Sequence, residues 1–203
     1  MSSKTVSPSK QKTLQSKRLT LVPLSLKNRD DLFTLDSDPL VMKHIESGIP
    51  LSASESEVGF RYMLVELAVA GLGTWAAYVG SEFVGWWVLA AGELADTGTP
   101  PQPDTKNVVF GLRLLPKFWG QGLAKEGTRE IFRHAFEDLG VEQISGDTMT
   151  INQGSRATMA SCGMKHIRTY HNEYPTPPPG IEEGEVEYRI TKDDWLAQKE
   201  GAQ

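Results

Sequence analysis

The residues with the clearest chemical purpose are the run Leu114-Leu115-Pro116-Lys117-Phe118-Trp119-Gly120-Gln121-Gly122-Leu123-Ala124. Gly120 and Gly122 let the backbone turn tightly and approach a ligand closely. The run follows a strand-like segment and opens a helical pattern. The first N–H groups of a helix have no partner within it, and the helix dipole is positive there. An anion placed at that point gains several hydrogen bonds, and a diphosphate fits. A Gly-x-Gly taken alone also reads as a tight turn that simply needs glycine. A dinucleotide-binding turn requires three glycines at another spacing and an acidic residue downstream, and a phosphate-binding P-loop requires Gly-Lys-Ser/Thr; both are absent.

Other reactive side chains are scattered. Asp147 lies mid-strand in Gly146-Asp147-Thr148, where a carboxylate faces a cleft or caps a neighbour. Ser155 follows Asn152 at the start of a short helix, where a hydroxyl also serves as an ordinary cap. His171 has an intrinsic pKa suited to proton transfer, or is a surface-loop histidine. His44 and Glu46 sit on an early helix, where they line a cleft or form a solvated helix end. His44, His134, His166 and His171 have no metal-ligand spacing. Glu182, Glu183 and Glu185 read as a solvated acidic loop or an attraction for a cation. Cys162 has no base nearby in sequence and reads as a small buried hydrophobe.

These groups need elements to hold them. Residues 1–13 are Ser, Lys, Thr and Gln with little to bury, so a disordered tail is expected, followed by one domain over 14–199. A strand begins near Arg18 and runs to Leu24. Lys27 to Leu35 is helical in pattern. Asp38-Pro39 caps a short helix to Ile45. Ser52 and Glu55 have capping-box spacing for a helix to Ala70. Strands follow over Thr74 to Val79 and Phe83 to Ala90, then a loop at 92–106. Asn107 to Leu115 is a strand, Gly122 to Leu139 a long helix, and Val141 to Ile151 a strand. Asn152 to Ser161 is a short helix, Met164 to Tyr170 a strand, 171–184 a Pro-rich acidic loop, Glu185 to Thr191 the last strand, and Lys192 to Gln198 a helical turn. Adjacent Trp86 and Trp87 point to opposite faces, one into the core and the other either into ordinary packing or onto the wall of a cleft. Strands joined by turns pair antiparallel and strand-helix-strand units parallel, so a mixed sheet with helices on both faces is expected.

With this order in place, the sequence resembles a known family. Lys117-x-x-Gly120-x-Gly122 is similar to the Arg/Gln-x-x-Gly-x-Gly/Ala pattern of the GNAT N-acetyltransferases, with lysine first. Gly111 to Glu126, Asn152-Gln153-Gly154-Ser155…Met159…Gly163-Met164, Lys17 to Leu21, Asp38-Pro39…Val41-Met42…Ile45 and Glu187 to Trp195 resemble, in order, blocks of the branch containing the ribosomal-protein N-terminal (alanine/serine) acetyltransferases. The resemblance spans about residues 17–196. It implies the GNAT fold: an α/β (α+β) architecture with a mixed, mostly antiparallel sheet of six to seven strands and a splayed central strand pair. It implies acetyl-CoA as cosubstrate, its pyrophosphate on the backbone amides of Trp119, Gly120, Gln121, Gly122, Leu123 and Ala124. Leu114 and Leu115 would bond the pantetheine and present the acetyl carbonyl. Asn152 would touch the pantetheine arm, and Ser155 would sit near the CoA sulfur.

The implied reaction is direct attack of a primary amine, a protein N-terminus or a small amine, on the thioester. A free alkyl amine has a pKa near ~10, so a base or water chain must take a proton. The oxyanion needs donors, expected from the N–H of Leu114 or Leu115. The family's usual acid, a tyrosine seven residues after the asparagine, is Met159 here, so Ser155 is the candidate acid. The strand glutamate many relatives carry is Val109 here. His171 and Asp147 are the remaining candidates for proton transfer. A CoA-binding sensor without turnover is the alternative that these departures favour.

Composition agrees with an enzyme of this kind. The 203 residues suffice for one domain with a real core. A net charge of −5 offers nucleic acid no general attraction. No apolar run approaches membrane length and no signal-peptide core is present. Cys162 is the only cysteine, which suits a reducing, cytoplasmic setting. Relatives often pair, so a homodimer is possible.

Overall fold

A computed structural model describes residues 10–93 and 103–201. Among the described residues, eight strands form one sheet. In chain order they are β1 (Leu14–Gln15), β2 (Thr20–Pro23), β3 (Gly73–Val79), β4 (Glu82–Glu93), β5 (Pro103–Leu114), β6 (Gln143–Met149), β7 (Lys165–Tyr170) and β8 (Glu185–Thr191). The helices are α1 (Arg29–Asp36), α2 (Pro39–Met42), α3 (Ala53–Val65), α4 (Leu123–Arg133), α5 (Gln153–Ser161) and α6 (Lys192–Glu200). The sheet order is β1-β2-β3-β4-β5-β6-β8-β7, with β5–β6 the parallel neighbours and the other pairs antiparallel.

The sheet has one strand more than the upper expectation, because Leu14–Gln15 pairs with β2. Residues 1–9, expected to be disordered, lie outside the described residues, but Gln11 and Lys12, from the rest of that expected tail, lie against β3. Gln11 Nε2 donates to the Thr74 carbonyl at 3.2 Å, and the Trp75 indole donates to the Lys12 carbonyl at 2.9 Å. Strands β4 and β5 also extend into the expected 92–106 loop, of which 94–102 lies outside the described residues.

The expected caps form. Asp38 accepts from the Leu40 and Val41 amides, and Ser52 and Glu55 close their capping box at the start of α3. Helix α3 ends at Val65 rather than Ala70, because turns through Leu67–Leu72 bring Leu72 into the core at 1% exposure. The long helix expected to Leu139 changes character at His134, where a π-turn runs to Asp138. His134, Ala135 and Phe136 are buried in succession, and a wider turn lets three consecutive side chains face inward.

Two apolar layers flank the sheet. One joins Trp87, Phe110 and Leu114 to Leu123, Ile131 and Phe132 of α4 and Met159 of α5. The other joins Ala76, Phe83 and Trp86 to Leu32 and Leu35 of α1, Val41 of α2 and Phe60 of α3. Trp86 and Trp87 therefore face opposite layers, as strand alternation requires. No helix among the described residues is long and apolar enough to cross a membrane.

Candidate active site

The glycine turn joins β5 to α4. Gly120 and Gly122 have φ of 70° and 77°, conformations that side chains disfavour. Nothing lies within 4 Å of where a Gly120 Cβ would stand, so the backbone there faces open space. The first bond of α4 runs from the Glu126 N–H to the Gly122 carbonyl at 3.0 Å, so the amides just before it point out of the helix without an acceptor inside it. The turn is tied from behind. Arg18 donates to the Gln121 carbonyl at 3.0 Å, and Glu126 accepts from the Ser16 hydroxyl, the Arg18 N–H and Arg18 Nε at 2.7, 2.6 and 2.7 Å. Burial alone would raise the Glu126 pKa, but these bonds hold it below the usual value. Gln121 spends its side chain on the Lys117 carbonyl at 2.7 Å.

Two amides expected at the site are already engaged. The Trp119 N–H donates to the Pro116 carbonyl at 3.0 Å, and the Leu115 N–H to the Val84 carbonyl at 2.9 Å. The open amides thus begin at Gly120, and Leu115 is not an oxyanion donor. The Leu115–Val84 bond also sets the ladder's phase. In an antiparallel pair, backbone groups point alternately toward and away from the partner. Those of Leu112 and Leu114 therefore point away from β4, and the Leu114 carbonyl accordingly receives the Trp119 indole N–H at 2.8 Å.

What they point into is a gap. Strands β5 and β6 pair over Asn107–Val109 and Gln143–Ser145 and then diverge, while β6 continues along β8 to Met149. The chain is last tight at Gly146, where a Cβ would come within 3.2 Å of the Phe110 carbonyl. A cleft of about 760 Å³ opens at this V. Its lining includes Leu114, Trp119, Gly120, Gly122, Leu123, Ala124, Asn152, Ser155 and Asp147 of the expected residues, but neither Leu115, Gln121 nor His171.

Across the V, Asn152 caps α5. Its Oδ1 accepts from the Ser155 N–H at 3.2 Å, and its Nδ2 donates to Thr148 Oγ1 at 3.1 Å. The cap is therefore Asn152 itself, and the Ser155 hydroxyl keeps no protein partner among the described residues while lining the cleft.

Asp147 takes the cleft side of the two readings open to it. By strand alternation it shares the α1–α3 face of the sheet with its register partner Glu187, and with Glu185 and Tyr170, which pair with each other. Glu187 is neutralised by Arg168 and Arg189, each at 2.6 Å. Glu185 is 7% exposed and accepts from Asn172 Nδ2 at 2.8 Å and from the Tyr174 hydroxyl at 2.7 Å. Among the described residues no lysine or arginine pairs with Asp147 or Glu185. Desolvation first, then the Glu185 and Glu187 charges, push the Asp147 carboxyl above its usual range, against a bond from the Tyr170 hydroxyl. Tyr170 is raised by burial and by the Asp147 and Glu185 charges.

His171 is set apart. Alternation puts Tyr170 on the cleft face, and the next ring turns to the Glu182 carbonyl at 3.2 Å. On the opposite wall, His44 and Glu46 line the cleft beyond α2, and burial followed by the Lys43 charge lowers the His44 pKa. The Pro-rich loop reaches this wall: a Gly48 Cβ would lie 3.1 Å from Pro179 Cδ.

In sequence Glu185 groups with Glu182 and Glu183, as a solvated acidic loop or an attraction for a cation, and is not paired with Asp147. The signal that exposes it is the buried alternation Val186, Tyr188, Ile190, which puts Glu185 and Glu187 together on the other face.

The chain matches the acetyltransferase (GNAT) domain family over residues 18–165. It is 50% identical over 187 residues, 92% of this chain and 79% of that protein, to the FsC-acetyl coenzyme A-N(2)-transacetylase of Aspergillus fumigatus. Its fold is shared with the RimL ribosomal L7/L12 alpha-N-protein acetyltransferase in complex with coenzyme A, at 16% identity and a TM-score of 0.72 over 90% of this chain and 99% of that one. It is likewise shared with the spermidine N-acetyltransferase of Vibrio cholerae in complex with CoA and spermine, at 15% identity and a TM-score of 0.69 over 88% and 98%.

Proposed function

The chain belongs to the GNAT acetyltransferase family, and from that premise we propose that it moves acetyl from acetyl-CoA to a primary amine in one ternary complex, with Asp147 as the proton acceptor. The observation that carries this reading is the disposition of the V. Open amides at Gly120–Ala124 lie on the α4 side, and an unneutralised carboxylate pair lies on the other.

The residues divide the work as follows. The amides from Gly120 to Ala124 receive the pyrophosphate of acetyl-CoA, with the helix dipole adding to the attraction. The outward-facing backbone of Leu112 and the Leu114 N–H hold the pantetheine arm, and one of the two N–H groups stabilises the oxyanion. The acceptor arrives from the α1–α3 face as an ammonium, balanced by Asp147 and Glu185. Asp147 takes a proton, directly or through one water, and its raised pKa makes it a better base than an ordinary carboxylate. The free amine attacks the acetyl carbon, the C–N bond forms, and the C–S bond breaks. Ser155 gives its hydroxyl proton to the departing thiolate and regains one from solvent or from the acceptor nitrogen. The acceptor is a small amine or a peptide N-terminus, and the single, buried cysteine suits work in the cytoplasm.

The test is thiol release from acetyl-CoA with a panel of plain primary amines. Amine-dependent release that is reduced in Asp147→Asn and Ser155→Ala supports the assignment. Tight CoA binding with no amine-dependent release would instead make the chain a CoA sensor.

A further inference from the structure

Trp119 is 49% exposed beside the glycine turn and lines the cleft, yet its indole N–H turns back to the strand the chain has just left. There it donates to the Leu114 carbonyl at 2.8 Å. A short turn places the ring. Pro116 opens a 3-10 turn, the Phe118 and Trp119 N–H groups donate to the Leu115 and Pro116 carbonyls at 3.0 Å each, and the chain is extended again at Trp119. The Leu114 carbonyl belongs to the same peptide unit as the Leu115 N–H, which donates to the Val84 carbonyl at 2.9 Å. That unit is therefore held from both sides, by β4 and by the indole. One residue earlier β4 presses close as well. A Cβ on Gly85 would fall 2.1 Å from the Arg113 carbonyl oxygen and 2.8 Å from Leu114 Cα, so the strand has no room to shift toward β4.

A peptide unit is planar, and two hydrogen bonds that share one polarise each other. Fixing the plane of the 114–115 unit fixes the backbone at Leu114. With the close contact at Gly85, it sets how the preceding unit, which carries the Leu114 N–H, is turned toward the V. β5 has left β6 by this point, so no neighbouring strand holds that edge. The indole supplies the bond that a ladder partner would supply elsewhere. It also removes an obstacle. An unspent Leu114 carbonyl oxygen facing the gap would lie beside the charge that develops on the thioester oxygen and oppose it, whereas a spent one leaves Leu114 a donor-only edge. Resting on the acetyl-transfer reading above, we propose that Trp119 is a positioning residue for catalysis: its indole N–H locks the Leu114–Leu115 peptide so that the Leu114 N–H stays aimed at the thioester oxygen. Leu114, rather than Leu112, is then the oxyanion donor.

Trp119→Phe removes the N–H and keeps an aromatic ring. With acetyl-CoA and a plain primary amine, its kcat should fall about tenfold, because a donor aimed slightly wrong costs rate rather than binding. The Kd for CoA, read by calorimetric titration, should stay within about twofold of wild type, because the amides that receive the pyrophosphate begin at Gly120. A role confined to stiffening the turn predicts the reverse, a weaker Kd and a lower Tm with kcat preserved, and that result would overturn the proposal. Amide hydrogen exchange reads the lock without turnover. The Leu115 N–H should exchange about tenfold faster in Trp119→Phe than in wild type, and an unchanged rate would overturn the lock. The wild-type chain decides even if the variant fails to fold: the Trp119 indole N–H should be protected from exchange despite the exposure of its ring, and free exchange there would also overturn the lock. Absence of amine-dependent thiol release in wild type sinks the acetyl-transfer reading and with it the catalytic purpose of the lock, whereas release that is undiminished in Trp119→Phe sinks only the role given to Trp119.

Discussion

Gly127 packs directly against Trp87, so closely that a Cβ at position 127 would fall 2.5 Å from the indole Cζ2. The same indole donates to Thr128 Oγ1 at 3.1 Å, one residue further along α4. The helix that presents the open amides is thus seated on a central strand through a contact that only glycine permits. Gly127→Ala must displace either α4 or a fully buried tryptophan. A loss of about 1–3 kcal/mol in denaturant unfolding is expected, together with weaker CoA binding, because the turn moves with the helix. An alanine variant of wild-type stability and affinity would mean that the contact is looser than described.

At Gly122 the expected balance is the reverse. A Cβ there meets nothing closer than Arg18 Nη2 at 3.6 Å, so the fold has room for it, and the penalty is the φ of 77° alone. Gly122→Val should cost about 1–2 kcal/mol of stability but raise the Kd for CoA by more than that strain accounts for, since the side chain intrudes where the amides converge. Calorimetric titration with CoA beside thermal unfolding separates the two effects. Unchanged affinity in the folded variant contradicts the pyrophosphate site.

Asp147 should show activity and stability moving in opposite directions. Its folded pKa lies above the ordinary 3.8, so the folded state holds the proton more tightly than the unfolded chain. The stability this adds is fully present below 3.8 and is lost as pH rises through the folded value. At neutral pH the ionised, crowded carboxylate therefore works against folding. Asp147→Asn should raise the midpoint of neutral-pH unfolding, flatten the acid limb of the kcat/KM profile, and lower kcat/KM by about 10²–10⁴. A variant that loses stability and keeps its acid limb removes Asp147 from the base role.

Glu126 has the opposite linkage. Its pKa is depressed below the ordinary 4.5 by Ser16 and Arg18, so its contribution is present above 4.5 and disappears as pH falls through the folded value. Glu126→Gln should lower Tm at pH 7 and converge with wild type in acid. Because Arg18 also holds the Gln121 carbonyl, CoA binding should weaken several-fold in the same variant. A Tm deficit that persists undiminished in acid would show that the loss is one of packing rather than charge.

Much of this molecule is written in local sequence. The caps at Asp38 and Ser52, the opposed tryptophans at 86 and 87, and the glycines that open α4 follow from side-chain chemistry within a few residues, and so does the diphosphate logic of that turn. What local sequence cannot hold is a partner from elsewhere in the chain. The Leu115 amide reads as free until Val84 occupies it, and the Ser155 hydroxyl reads as a cap until Asn152 takes that role. Glu185 becomes a buried neighbour of Asp147 only when β8 inserts between β6 and β7, because register, not proximity in sequence, decides which carboxylates must share a face. Trp86 and Arg113 likewise lie 27 positions apart and meet through antiparallel pairing. The sequence by itself determined most of the elements and the turn whose open amides suit an anion. The tertiary structure decided which donors and charges remain unspent in the cleft, since that depends on long-range hydrogen bonding and burial, which no short window of residues contains.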